Sequence, residues 1–384
     1  MIKGKKVAGI VCEYNPFHNG HKYHIEKTKE ITGCEYIICA MSGSVVQRGD
    51  IAICDKWQRA SIAVDNGADL VIEIPSYYVL QSAQNYAYGS VSLLDALGVA
   101  DCLSFGSESG DKNLLCTVAD MLTHEPEEYS SLIKDAMDKG MSYPAACEHA
   151  LTAYMKTDFN FTPNDILAVN YIKAINRIKS NMIPTVIHRT NDYHATETTS
   201  DMASATAVRN MIGLGEDVSG YVPILPGDIY NISNIGSLIL GFFRTVDAKS
   251  LDDIIGMEDG LANRLITCAK KCTCYRDFVD ACISKRYTRH RIQRVIMCCL
   301  LSIRHERIMD YVRVLAMNDK GRELLSEIKK SCTLTIVTKT SDFAPSDNSM
   351  FQYDILSTDL AALCCTDESK RIGSKDYTTS PYVR

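Results

Sequence analysis

Short apolar runs alternate with amphipathic segments through the first half of the chain. The runs are rich in Val, Ile and Cys, as expected for strands that are covered on both faces. They predict strands at residues 7–13, 36–41, 70–74, 102–105 and 183–188. Helices are predicted at residues 21–32, 56–66 and 81–97, each followed by a glycine at position 33, 67 or 98. Strand–helix alternation of this kind predicts an α/β fold with a parallel sheet.

The pattern changes near residues 213–228, where glycines and two prolines indicate a connector. Helical apolar spacing dominates beyond it and predicts helices at residues 235–243, 261–268, 292–301 and 306–315. Residues 332–339 are strand-like, and the polar end at 369–384 is expected to be loosely ordered. We therefore predict an α/β domain at residues 1–215 and a mainly helical domain at residues 229–384.

The composition is typical of a soluble globular protein, with 46% hydrophobic and 23% charged residues. No window approaches the ~18 consecutive apolar residues of a membrane span, so no membrane association is expected. The start, Met-Ile-Lys-Gly-Lys-Lys, lacks an apolar stretch with a cleavage site, which argues against secretion. None of the 16 cysteines forms a C-x-x-C pair, and most lie in apolar runs. A cytoplasmic location is therefore expected.

Charge and cysteine spacing limit the ligands that are expected. The net charge of −6 gives no general attraction to nucleic acid, so any RNA binding must come from a local basic surface. The densest cysteine group, Cys268, Cys272 and Cys274, lacks a fourth ligand at standard zinc spacing. No metal site is therefore predicted in the protein itself.

An H-x-G-H pattern, His18-Asn-Gly-His21, lies between the first predicted strand and the first predicted helix. A helix N-terminus favours phosphate, and Gly20 allows the backbone to approach a nucleotide closely. The two imidazoles can donate hydrogen bonds to charge that develops on phosphates. The alternative is a loop that happens to hold histidines. The strand–helix junction favours a nucleotide site, because open parallel sheets bind ligands at the carboxyl ends of their strands.

A second polar group, Ser204-Ala-Thr-Ala-Val-Arg209, begins a predicted helix after the fifth strand. Its two hydroxyls, its helix N-terminus and its guanidinium can hold phosphate oxygens. Alone, the segment would be better explained as an ordinary helix start with Ser204 as the cap. Together, the two groups predict a site that binds ATP and acts on its α-phosphate. The predicted catalytic residues are His18, His21, Ser204, Thr206 and Arg209.

Further segments resemble one family in particular. They are Glu13-Tyr-Asn-Pro-Phe-His-Asn-Gly-His21, Met41-Ser-Gly-Ser-Val-Val-Gln-Arg-Gly49, Phe105-Gly-Ser-Glu108, Pro163-Asn-Asp-Ile-Leu167 and Lys285-Arg-Tyr-Thr-Arg289. In this order they resemble the tRNA(Met) cytidine acetate ligase family of the H-x-G-H nucleotidyltransferase superfamily. The resemblance implies a Rossmann-like, parallel-sheet nucleotidyltransferase domain followed by a mainly helical, tRNA-binding C-terminal domain.

The resemblance also implies an activity and its ligands. The family activates acetate with ATP as acetyl-adenylate and acetylates the wobble cytidine of elongator tRNA(Met). We expect Mg²⁺ with the ATP, and no stable protein partner. The residues that the resemblance places at the ATP are Val11, Cys12, Glu13, Tyr14, Asn15, Pro16, Phe17, His18, Asn19, Gly20, His21, Lys22, Tyr23, His24, Gly106, Asn164 and Arg189.

A basic cluster between residues 270 and 307 predicts RNA binding. Ten Lys and Arg residues lie there in a chain of net negative charge, and Tyr275, Tyr287 and His290 could stack on unpaired bases. Apolar Ile292 and Val295 equally fit a helix with one buried and one charged face. The predicted RNA-binding residues are Lys56, Lys270, Lys271, Lys285, Arg286, Arg289 and Arg291. For Lys56, which could reach a phosphate or an RNA strand, a solvated helix face fits about as well. The Gln47-Arg48-Gly49 loop follows the second predicted strand near the expected crevice, where Arg48 could bind a carboxylate or a phosphate; simple surface exposure is the alternative.

Two other functions fit part of the sequence. A nucleotidyltransferase that moves AMP or CMP onto a small phosphorylated acceptor would share both motifs but would not need the basic second half. A non-catalytic RNA-binding protein would keep the fold as a scaffold, yet it would have no need of His18, His21 and Arg209.

Overall fold

The computed structural model describes residues 4–141, 143–156, 162–189, 203–305 and 307–384. The strands in this part of the chain are β1 (Val7–Cys12), β2 (Tyr36–Ser42), β3 (Val45–Val46), β4 (Asp50–Ile51), β5 (Leu70–Ile74), β6 (Cys102–Ser107), β7 (Ile183–His188), β8 (Tyr311–Met317), β9 (Thr335–Val337) and β10 (Tyr382–Val383). The α-helices are α1 (Asn19–Thr32), α2 (Lys56–Asp65), α3 (Ser76–Val79), α4 (Ala83–Ala96), α5 (Lys112–His124), α6 (Glu127–Asp138), α7 (Tyr143–Met155), α8 (Pro163–Ile178), α9 (Ala205–Leu214), α10 (Gly236–Thr245), α11 (Leu261–Ala269), α12 (Tyr275–Cys282), α13 (Arg289–Leu300), α14 (Asp319–Ser331), α15 (Phe351–Leu363) and α16 (Lys375–Thr378).

The described residues form an eight-stranded sheet in the order β10-β8-β5-β2-β1-β6-β7, with β9 beside β8. The strands from β5 to β7 in this order are parallel to one another, and β8 runs antiparallel to β5. The predicted α/β class and the five strands predicted in the first half are confirmed. β2 is buried at all seven of its residues, which explains its continuous apolar sequence.

The path of the chain through the sheet creates a crevice. From β1 the chain adds β2 and β5 on one side and then returns to add β6 and β7 on the other side of β1. The loops after β1 and β6 therefore leave the sheet at a point where the strand order reverses. Open α/β sheets bind their ligands at such a point, outside the carboxyl ends of the strands.

The helices predicted at residues 235–243, 261–268 and 292–301 are confirmed and correspond to α10, α11 and α13. The helix predicted at residues 306–315 is wrong: residues 311–317 form β8, and residue 306 lies outside the described residues. Every residue of β8 is buried, so its sequence shows no alternation between polar and apolar sides. No helix of the described residues combines the length and the apolar character needed to cross a membrane.

The end of the chain is part of the sheet. Residues 369–384 were expected to be loosely ordered, but β10 pairs with β8 and Asp376 in α16 is 1% exposed. This expectation is therefore corrected, because sheet pairing and a buried charge order the segment. β8, β9 and β10 come from the predicted helical domain and pair in the same sheet as the first half. The division into residues 1–215 and 229–384 stays a prediction.

Candidate functional site

The loop after β1 places both histidines of the H-x-G-H pattern at the N-terminus of α1. His18 is the N-cap, and its Nδ1 accepts a 3.1 Å hydrogen bond from the Gly20 N–H. The Nδ1 of His21 accepts one of 3.2 Å from the His18 N–H. The two rings stack with their centroids 3.7 Å apart. Because each Nδ1 is an acceptor, the neutral rings carry their proton on Nε2, where it is available to a ligand.

Burial keeps these imidazoles neutral. His18 is 3% exposed, and burial lowers its pKa to about 3, with further lowering from the charges of Arg189 and Arg209. Burial also lowers the pKa of His21 well below its ordinary value and that of His24 to about 4. At pH 7 the site therefore offers neutral N–H donors and not imidazolium ions.

The neutral state of His18 predicts that acid weakens the fold. The unfolded imidazole takes up a proton below its ordinary pKa of 6.5, whereas the folded one has a pKa of about 3. The contribution of the neutral His18 ring to stability is therefore fully present above pH 6.5 and is lost as the pH falls from 6.5 towards 3. His18→Asn keeps a helix cap that does not titrate. From pH 7 to pH 5 the wild type should lose about 2 kcal/mol more unfolding free energy than this variant.

Urea unfolding at pH 7, 6 and 5 measures this difference. His149→Asn is the control, because it removes an exposed imidazole from α7 and should follow the wild type at each pH. An equal loss of stability in the wild type and His18→Asn would contradict a neutral, buried His18.

The second polar group is joined directly to the histidine loop. Ser204 caps α9, and its hydroxyl accepts the Ala207 N–H at 3.2 Å. The Arg209 Nη1 donates to the Asn15 carbonyl oxygen at 2.6 Å, and its Nη2 lies 3.1 Å from the Thr206 hydroxyl oxygen. Arg209 and Asn15 are 194 positions apart in the sequence. The structure thus brings the two predicted motifs together at the carboxyl edge of the sheet.

The end of β6 and the start of α8 supply the other predicted nucleotide-binding residues. A Cβ at Gly106 would lie 3.1 Å from the Cδ of Arg189, so glycine leaves room for the arginine side chain to cross the strand end. The Asn164 amide donates a hydrogen bond to the Glu108 carboxylate. Gly106, Arg189 and Asn164 therefore lie at the ends of β6 and β7 and the start of α8, beside the end of β1.

Asp165 is a supporting residue that the sequence analysis did not select. It is 1% exposed and accepts hydrogen bonds from the Thr162 hydroxyl at 2.5 Å and the Ser109 hydroxyl at 3.1 Å. These bonds fasten the loop after β6 to the first turn of α8, which carries Asn164. The signal was available, because an acid three residues after a threonine is typical of a capped helix start.

The predicted nucleotide-binding segment at residues 11–24 contains side chains of different kinds. Tyr14 and Phe17 are each 1% exposed, and their ring centroids lie 4.9 and 5.6 Å from that of His21. They support the histidine ring from the core. Lys22 is exposed, and Tyr23 is half-buried. The segment therefore combines aromatic side chains that pack in the core with polar side chains at the surface.

Arg59 was also missed as a residue of the site. It is fully buried in α2, and its Nη1 donates to the carbonyl oxygens of Glu13 at 2.6 Å and Ser42 at 3.0 Å, while Nη2 donates to that of Gly43. One guanidinium therefore ties together the ends of β1 and β2. A charged residue on the apolar face of a helix is the sequence signal, since a buried charge needs several partners.

The prediction that Lys56 binds RNA is corrected. Its side chain is fully buried, and its Nζ lies 2.8 Å from both carboxylate oxygens of Glu73 and 2.9 Å from the Asp376 carboxylate. Arg313 contacts the same two carboxylates at 3.5 and 2.6 Å. An ammonium group enclosed in this way has no surface to offer to a phosphate backbone.

Ion pairs partly neutralise the predicted basic surface. Arg286 lies 2.7 Å from the Glu258 carboxylate, Arg291 pairs with the same group, and Arg289 pairs with Asp280. These pairs are exposed or half-exposed, so they are weak and can exchange for phosphate. The other predicted RNA-binding residues of this region are exposed, namely Lys270, Lys271 and Lys285.

The expected stacking of Tyr275 and Tyr287 on bases is wrong. Each of these tyrosines is 6% exposed and packs in the hydrophobic core. His290 is exposed, and its stacking on RNA bases stays a prediction. The tyrosines were misread because they lie between charged residues in the sequence but on the buried side of the helical region.

The chain is similar to known proteins over almost its whole length. The model of the HIGH Nucleotidyl Transferase family matches residues 5–376. The tRNA(Met) cytidine acetate ligase of Acetivibrio thermocellus is 35% identical over 97% of this chain and 98% of its own length. That of a Thermoanaerobacter species is 37% identical over 94% of this chain and 96% of its own.

Two crystal structures of Thermotoga maritima TmcAL share the fold. The structure bound with alpha-thio ATP, form II, has a TM-score of 0.88 at 32% identity, and the apo structure, form I, has one of 0.90 at 33% identity. Each covers 98% of this chain and 99% of the Thermotoga chain. The similarity therefore includes the site after β1 and the helices of the second half.

Proposed function

This chain belongs to the tRNA(Met) cytidine acetate ligase family, and we propose that it activates acetate with ATP to form acetyl-adenylate. The acetyl group then passes to the N4 amine of the wobble cytidine of elongator tRNA(Met). The observation that carries this proposal is the direct joining of the two motifs, through the Arg209 bonds to Asn15 and Thr206. All 16 cysteines are free thiols, which supports a cytoplasmic location.

The activation step places negative charge where the site has donors. A carboxylate oxygen of acetate attacks the α-phosphorus, the α–β bridging bond breaks, and pyrophosphate leaves. The Nε2–H groups of His18 and His21 donate to the phosphate oxygens as charge develops on them. Arg209 and the Thr206 hydroxyl hold the leaving pyrophosphate. Mg²⁺ bound with the ATP would neutralise part of the phosphate charge as pyrophosphate leaves.

The transfer step needs a nucleophile and a leaving group. The N4 amine of the cytidine attacks the acetyl carbon, the bond to the AMP oxygen breaks, and AMP and one proton are released. The acceptor base belongs to an RNA, so a surface that binds its backbone is required near the site. The exposed basic residues of α11–α13 and their connections supply such a surface.

The products of ATP cleavage test the proposal most directly. Incubation with ATP, Mg²⁺ and acetate should yield pyrophosphate and an adenylate, because the proposed mechanism breaks the α–β bond. Removal of Mg²⁺ should stop the reaction, since the charge of the leaving pyrophosphate is then not neutralised. Chromatography of labelled ATP with and without a tRNA transcript gives the readout, with acetate omitted as the control. ADP and free phosphate as the main products would exclude the ligase mechanism.

The RNA half of the proposal has its own prediction. Replacing Lys285, Arg286 and Arg289 together by alanine should weaken tRNA binding and flatten its dependence on salt. Each lost phosphate contact should reduce the slope of log affinity against log salt concentration (the salt slope) by about 0.7 to 0.9. Acetyl-adenylate formation without RNA should persist, because the ATP residues lie at the carboxyl edge of the sheet.

A control with the same charge change comes from α14. Arg322, Lys329 and Lys330 are exposed there, and their replacement by alanine should leave the salt slope unchanged. If the first triple variant bound tRNA with the slope of the wild type, the basic surface would have no part in binding. A transferase with a small acceptor predicts no tRNA binding in any of these proteins.

A further inference from the structure

A short hairpin lies beside the loop that follows β1. β3 and β4 pair antiparallel, and residues 47–49 form the hairpin tip between them. On the side of the nucleotide site, the Gln47 N–H donates to the Glu13 carboxylate at 2.7 Å. Glu13 directly follows β1, so the tip is attached to the loop that carries the two histidines.

The other side of the hairpin tip rests on α13. Gly49 has a φ of 79°, and a Cβ there would overlap the backbone of Gln293 and Arg294. The Arg294 Nη1 lies 3.4 Å from the Gln47 carbonyl oxygen. Glycine is therefore required at this position for both conformation and space. Held between Glu13 and α13, the tip is a rigid support for the residue at its centre.

That residue, Arg48, extends to the second polar group. Its Nη1 lies 3.4 Å from the Thr206 hydroxyl oxygen, and the Arg209 Nη2 lies 3.1 Å from the same oxygen. Burial lowers the pKa of the Arg209 guanidinium, and the Arg48 charge is the largest electrostatic contribution in the same direction. Two like charges thus converge on one hydroxyl, although each repels the other. An anion of high charge bound between them would remove this repulsion.

We propose that Arg48 is a second guanidinium for the β- and γ-phosphates of ATP and for the pyrophosphate that leaves. This inference deepens the proposed function, on which it rests for the identity of the nucleotide. Arg209 is fixed from the inside by its bond to Asn15, whereas Arg48 is exposed and reaches the same hydroxyl from the hairpin tip. The two guanidinium groups then hold the polyphosphate from two sides. AMP has no β-phosphate for Arg48 to contact.

Arg48→Ala tests this assignment through the difference between nucleotides. Calorimetric titration of the full chain should show affinities for ATP and for pyrophosphate that are about 10-fold lower, the loss expected for a hydrogen bond to a charged group. The affinity for AMP should change much less. The affinities of Arg48→Lys for ATP and pyrophosphate should lie between those of the wild type and Arg48→Ala. An ammonium group keeps the charge but cannot donate two parallel hydrogen bonds as a guanidinium does. Arg322→Ala in α14, which removes an exposed guanidinium elsewhere, should match the wild type.

The outcomes separate the alternatives. An equal loss of affinity for ATP, pyrophosphate and AMP would overturn the inference, because Arg48 would then maintain the shape of the whole site. Unchanged affinities with a loss of acetyl transfer to tRNA would also overturn it and assign Arg48 to the RNA surface. If the wild type bound ATP but gave no acetate-dependent exchange of pyrophosphate into ATP, the proposed function would fail. The titrations would still decide the role of Arg48 at the phosphates.

Discussion

Replacing His21 by alanine is expected to lower turnover about 100-fold, the usual loss for one donor to a developing oxyanion. The His21 Nδ1 accepts the His18 N–H, so the proton of the neutral ring lies on Nε2. Burial lowers the pKa of His21 well below its ordinary value, so the ring donates as a neutral imidazole. The contribution of His21 to turnover should therefore not decline as the pH rises from 6 to 8.

Acetate-dependent pyrophosphate exchange at several pH values measures this effect. His21→Gln should keep more activity than His21→Ala, because the glutamine amide can place an N–H near the position of Nε2. His149→Ala, an exposed site in α7, is the control for removal of a histidine. Full activity of His21→Ala would end the proposed role. A steep loss of wild-type activity above pH 6.5, absent in His21→Gln, would instead indicate a catalytic imidazolium.

Replacing Asp376 by alanine is expected to lower the free energy of unfolding by about 3 to 5 kcal/mol, the cost of breaking a buried ion pair. The Asp376 carboxylate lies 2.9 Å from the Lys56 Nζ and 2.6 Å from the Arg313 Nη1. Glu73 is the second carboxylate of this buried group. Without Asp376, two buried cations would share one anion, and one positive charge would be left uncompensated.

Urea unfolding of the wild type and of Asp376→Ala measures the difference in their free energies of unfolding. Asp319→Ala is the matched control, because its carboxylate is exposed and pairs with Arg322 on the surface, where such pairs contribute at most about 1 kcal/mol. A loss in Asp376→Ala as small as that of the control would mean that water compensates the buried charges. Lys56→Met tests the correction at Lys56. This variant should change the free energy of unfolding in urea, and its tRNA binding should depend on salt as that of the wild type does.

The local elements of the first half, and the place of the candidate site, could be predicted from the residues alone. The five strands were predictable because they are short segments rich in apolar residues, and several of them are continuous apolar runs. Gly33 ends α1 with a φ of 65° that other residues rarely adopt. His18 and His21 follow the first strand, so the rule that parallel sheets bind at their carboxyl ends was enough to predict a candidate site there. These signals depend on neighbouring residues in the chain and need no knowledge of distant contacts.

Which distant residues meet, and which charges are buried, depends on how the chain packs in three dimensions. Residues 311–317 resemble a helix in spacing, but a place beside β5 makes them a strand, because sheet pairing outweighs a weak local preference. Lys56 resembles a surface lysine until Glu73 and Asp376 enclose it. The role proposed for Arg48 depends on its contact with Thr206, which is 158 positions away. Burial and charge pairing are properties of the packed molecule, and a single sequence does not contain the distances that create them.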